Sequence, residues 1–151
     1  MKKLLKNIAA LLCLTLMISC DKDQKLVAEI EGEYKIETLV NFLDGQGTPA
    51  TFSGGRIYFE DCKMKDGTAG NCNGWYEFEG NPRVTFQYNT QKEGGDKIIA
   101  ITNLSSFTEP KIMGSFKFEI SGNSVLLNGI EETGGADGST VKWYSDVKLS
   151  K

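Results

Sequence analysis

The chain has 151 residues, with 20 Asp and Glu against 17 Lys and Arg, a formal net charge of -3 and no histidine. That length suits one domain of ordinary size behind a short leader. The acidic balance argues against a nucleic-acid partner and against electrostatic adsorption to anionic lipid. The missing histidine removes Ser-His-Asp and Cys-His chemistry and the commonest base at neutral pH.

At the N-terminus, Lys2, Lys3 and Lys6 form a basic end, Ile8 to Ile18 form an apolar run of 11 residues, and the small Ser19 precedes Cys20. This is the order of a secretory signal peptide. The run is too short for a permanent membrane helix, which needs about 20 apolar residues. Met17-Ile18-Ser19-Cys20 resembles the lipobox of bacterial lipoproteins, with Met where Leu is more usual. The resemblance implies that residues 1–19 are removed and that the Cys20 thiol is alkylated with diacylglycerol, so that acyl chains such as palmitate hold the protein to a membrane. One chain binds only reversibly, at about 0.8 kcal/mol per buried CH₂, whereas two or three on one residue anchor stably. The expected place is the bacterial cell envelope, at the outer membrane, with the periplasmic or surface face left open. Without the leader the basic side chains fall from 17 to 14 against 20 acidic, and the net charge moves from -3 to -6.

Asp21 to Ala28 is charged and poor in apolar residues, so residues 20–29 read as a flexible tether and residues 30–151 as the folded domain. Cys13 leaves with the leader and Cys20 is taken by lipid, which leaves Cys62 and Cys72 as one pair. Nine residues rich in turn formers separate them, in a compartment that permits disulfides, and a bridge is expected. In the chain-entropy picture so short a loop contributes about 2–3 kcal/mol. Two thiols without further ligands do not complete a zinc shell. No metal or cofactor is expected.

From Ile30 onward the apolar period is two. Tyr34, Ile36, Val40 and Phe42 alternate with Lys35, Glu37 and Asn41, and Leu39 interrupts only locally. Further strands are predicted over Arg56–Glu60, Trp75–Glu79, Arg83–Tyr88, Lys97–Asn103, Gly114–Ser121, Ser124–Leu127 and Val141–Leu149. Pro82 should end pairing at Gly80-Asn81-Pro82, and Gly122-Asn123 suits a primed hairpin turn. No amphipathic helix is expected after the leader. Eight short antiparallel strands, each with one apolar face, predict an all-β fold, an up-and-down barrel first and a two-sheet sandwich second. An eight-stranded barrel is filled by side chains or holds one small ligand. Outward Lys35, Glu37, Glu60, Glu77, Lys117 and Glu119 argue against a bilayer-spanning barrel.

These segments resemble the lipocalin-like lipoproteins of bacteria. Ile30-Glu-Gly-Glu-Tyr-Lys-Ile36 is similar to that family's first strand, Gly114 to Leu127 to its repeated hairpin, and Trp143-Tyr-Ser-Asp-Val-Lys-Leu149 to its last strand. The resemblance implies a small barrel on a lipid tether with an apolar cup. A second resemblance, to META domains, rests on Gly67 to Asn81 and departs from that pattern by the inserted Asn71.

Phe59, Phe86, Tyr88, Phe116, Phe118 and Trp143 are the candidates to line a cup for a small apolar ligand, or else simply fill the barrel. Trp75 and Tyr76 are expected to be exposed, and the stretch from Cys62 to Trp75 is the alternative site, an interaction module for protein or glycan. Glu60-Asp61 and Glu131-Glu132 are strand neighbours that point apart and do not converge as an acid/base pair. Asp137-Gly138-Ser139-Thr140 lacks the spacing of a calcium loop. A non-catalytic protein is expected.

Overall fold

Residues 20–43, 48–63, 71–104, 110–134 and 141–151 are described by a computed structural model. The leader through Ser19, most of the stretch between Cys62 and Cys72, and Asp137-Gly138-Ser139-Thr140 lie outside the described residues. Among the described residues one helix, α1 (Cys20–Ile30), precedes ten strands: β1 (Gly32–Leu43), β2 (Ala50–Phe52), β3 (Gly55–Phe59), β4 (Cys72–Phe78), β5 (Val84–Glu93), β6 (Asp96–Asn103), β7 (Gly114–Ser121), β8 (Ser124–Gly129), β9 (Glu132–Gly134) and β10 (Val141–Ser150).

Sequential antiparallel pairing runs β1-β3-β4-β5-β6-β7-β8-β10, and β10 then pairs with β1 from Lys35↔Ser150 to Leu43↔Trp143, closing an eight-stranded barrel. The two short strands extend this ring. β2 continues the register that β3 makes with β1, and β9 runs on beyond β8 along β10. Turn chemistry sets the hairpins. Ser121 pairs with Ser124 across Gly122 (φ 58) and Asn123, the primed turn predicted there. Between Phe78 and Val84 pairing stops around Pro82, which has no N–H to give.

The first strand departs from its expected alternation at one point. A register shift between Ile36 and Thr38 marks a β-bulge at Glu37, and one extra residue reverses which side chains face inward. Tyr34 and Ile36 are buried before it and Leu39 after it, while Val40 and Phe42 are only half-buried. Phe42 stacks instead on Tyr144 of β10, its register partner, at 5.0 Å.

The flexible tether expected over residues 20–29 is corrected by α1. Leu26, Val27 and Ile30 are 5%, 0% and 0% exposed and belong to the barrel core. Their spacing puts them on one helix face. Burying each of them fully is worth roughly 1.5–3 kcal/mol, which outweighs the weak local helix signal of a charged segment. The helix is tied at both sides, by Gln24 Nε2 donating to the Cys62 carbonyl at 3.1 Å and by an ion pair between Lys97 and Glu29. It closes the barrel end that carries the disulfide, the β5–β6 and β7–β8 turns and Lys151.

Close approach of backbone and rings fixes Gly74. A Cβ there would lie 2.4 Å from the Phe86 ring and 2.5 Å from the Tyr58 carbonyl oxygen. Gly74→Ala is expected to destabilise by about 1–3 kcal/mol, as overpacking does, measured by denaturant unfolding. An unchanged midpoint would mean that the strands separate freely at this point.

Candidate functional site

The candidate cup residues point into the barrel, and five of them are packed. Phe59, Phe86, Tyr88, Phe116 and Phe118 are buried in one continuous cluster. Phe59 meets Phe86 edge-on at 5.6 Å and Tyr88 at 5.3 Å, and Phe86 stacks on Tyr76 at 6.2 Å. Such offset and edge-to-face contacts are those of a filled aromatic core. The sixth, Trp143, is half-buried at the end opposite α1, close against Gly114.

The polar groups among these rings are also engaged, and Asn103 Oδ1 is the one buried polar side-chain atom among the described residues with no hydrogen-bond partner. Tyr88 donates its hydroxyl to the Glu60 carbonyl at 2.7 Å. Burial, and then the negative field of Glu31, Asp61 and Glu60, push its pKa upward, so it stays a neutral donor. Tyr76 accepts from Asn103 Nδ2 at 3.2 Å and from the Ile112 backbone N–H at 3.3 Å. Ser145 donates to Asn41 Oδ1 at 2.8 Å. Tyr76 is thus a correction: it is 1% exposed, not a surface residue beside Trp75. Neighbours on a strand face opposite ways, so only one of the pair lies outside.

Trp75 is the outward member. It sits directly opposite Tyr58 on β3, with ring centroids 5.9 Å apart and planes at 29°. The Arg83 guanidinium lies 3.8 Å from the centre of the Trp75 ring, a cation–π contact, and Arg56 lies 6.0 Å away. One rung along the same strands, Glu77 holds both cations. Arg83 Nε donates to Glu77 Oε2 at 2.9 Å, while Arg56 binds the other oxygen and reaches Glu33 at 3.2 Å. Beside this platform is an outer hollow of about 400 Å³, walled by Tyr58, Trp75, Thr85 and Leu104 and rimmed by Glu60 and Asn73. Leu104 is 57% exposed there, so the hollow offers apolar surface to a partner. A second hollow of about 500 Å³ lies along β1 near Lys35, Arg56 and Lys151 and is more polar.

Sequence reasoning singled out Trp75 but missed Tyr58, Arg56, Glu77, Arg83 and Leu104. The strand register that gathers them is not written in any local motif. Parity was available: Cys72 is buried, so counting by twos along β4 puts Tyr76 inside and Trp75 outside.

The Arg83 hydrogen bond, joined by that of Arg56, outweighs desolvation and holds the Glu77 carboxyl below its ordinary value of 4.5. A carboxyl depressed in the folded state stabilises above its unfolded value, and this contribution is lost as the pH falls through the lower folded value. The melting temperature of Glu77→Gln is therefore expected to fall less steeply on acidification below pH 4.5 than that of the parent protein. Parallel curves would remove this linkage.

Cys62 and Cys72 form the expected disulfide, with Cα atoms 5.5 Å apart, and it anchors the β3–β4 connection beneath the platform. Among the described residues no three His, Cys, Asp or Glu side chains are placed to hold a metal ion. No helix among them is long and apolar enough to cross a membrane. Fold and surface together define a closed antiparallel barrel with a packed aromatic interior and an aromatic platform on its outer wall. None of the known family models, curated proteins or solved structures compared with this chain matches it.

Proposed function

We propose that this chain is a lipid-anchored protein of the bacterial cell envelope, at the outer membrane, whose barrel works as a non-catalytic interaction module. Its partner, a protein or a glycan, docks on the outer face of β3, β4 and β5. The observation that carries this reading is the pairing of a packed interior with the Tyr58–Trp75 platform and its hollow outside. An aromatic flanked by cations and a polar rim is the composition of a recognition patch. Kinship with the lipocalin-like lipoproteins is part of the proposal and is supported by the closed, sequentially paired eight-stranded ring. The lipid on Cys20 is supported by the leader pattern, and the outer hollow replaces the apolar cup as the favoured site.

A photoreactive residue in place of Asn73, beside the hollow, tests the docking face in living cells. A discrete crosslinked species is expected, lost when Tyr58→Ala and Trp75→Ala are added, and absent when the photoreactive residue replaces exposed Leu126 on β8. Equal crosslinking at both positions would overturn the docking face. Native mass spectrometry of the purified barrel supplies the other arm, because a co-purified lipid would return the function to the interior.

A further inference from the structure

We infer that α1 makes the anchor a rigid mount, holding the barrel with its α1-closed end against the lipid surface and the end carrying the β4–β5 turn away from it. The inference rests on the proposed lipidation of Cys20 and goes beyond it, because a lipid on a flexible tether would leave the barrel free to tumble. Cys20 is the first residue of α1. Leu26, six residues on, is already sealed in the core, and a helix rises about 1.5 Å per residue, so the Cys20 backbone stands roughly 9 Å along the helix axis from a fixed point of the barrel. Between them Gln24 grips the Cys62 carbonyl, whose residue is itself bridged to Cys72 on β4. The chain therefore has no slack between the lipid and the wall of the barrel.

The surface that meets the lipid headgroups carries both signs of charge. Glu29 pairs with Lys97 and Asp96 with Lys117, and the β7–β8 turn adds the exposed polar residues Ser121, Asn123 and Ser124, with the exposed Ile120 beside them. That composition suits contact with headgroups without insertion and makes the mount independent of anionic lipid. The opposite end carries the β4–β5 turn. With ten residues in β5, a rise of about 3.3 Å and the tilt of a barrel strand, the two ends stand roughly 25 Å apart.

The test uses the full-length acylated protein in vesicles of phosphatidylethanolamine and phosphatidylglycerol that contain an energy-acceptor lipid. A fluorophore is placed at Asn123→Cys, in the β7–β8 turn of the α1 end, or at Glu79→Cys, at the start of the β4–β5 turn. Energy transfer several-fold stronger from position 123 than from position 79 is expected. Inserting a flexible Gly-Ser segment of about 20 residues between Asp23 and Gln24 leaves the docked half of α1 intact and should abolish most of that difference. Equal transfer from the two positions of an acylated chain would overturn the mount alone, as would a difference that survives the insertion. A mature chain whose Cys20 carries no acyl group by mass would overturn the lipid reading, and the mount with it.

Discussion

Phe59→Ala is expected to lower the unfolding free energy by about 3–5 kcal/mol, a large part of the 5–15 kcal/mol that a domain commonly has. Phe59 is fully buried and its ring meets Tyr34 at 6.1 Å, Phe86 at 5.6 Å and Tyr88 at 5.3 Å. Removing it takes away the transfer energy of the ring and leaves a void that these three neighbours do not collapse into fully. Urea unfolding of parent and variant measures the difference. The size of the loss also bears on function. A residue bordering an open cup would lose less, about 1–2 kcal/mol, and would change the affinity for an apolar dye. That outcome would favour an interior ligand over the outer platform.

The second large effect concerns attachment. Cys20→Ala should move the protein from the membrane fraction to the soluble fraction, because on the proposed lipidation it removes the site of every acyl chain at once. Each buried CH₂ contributes about 0.8 kcal/mol, so no surface charge pair of the barrel replaces what is lost. Fractionation followed by immunoblotting reads the result. A variant that still pellets with membranes would mean that something other than the proposed lipid holds the protein.

The ring of strands was legible because its determinants are local. Alternation of single residues marks each stave, and Gly-Asn or Gly-Gly between staves marks the turns, so the primed turn at Gly122 and the Cys62–Cys72 bridge both follow from short windows. What stayed hidden depends on distant partners. Glu37 has no feature that announces a bulge; its position is set by the pairing of β1 with β10, where Ser150 donates to its carboxylate. The helix was hidden for the same reason. Its apolar face has only Leu26, Val27 and Ile30, too few for a periodic signal, and it becomes stable only when the open end of the barrel receives it. The platform needed the register as well. Tyr58, Trp75 and Arg83 are far apart along the chain, and only the rungs of β3 and β4 together with the turn into β5 put them in one stack.

Closure of the ring has a consequence for how many copies can be displayed side by side. A sheet with a long open border offers a row of unpaired amides and carbonyls, and neighbours confined to one leaflet would zip together along it. Here β1 and β10 close that border on each other, and among the described residues only the three-residue strands β2 and β9 remain at the margins. On the proposed lipid anchor, crowding in two dimensions would raise local concentration without offering a long strand border at which copies could pair.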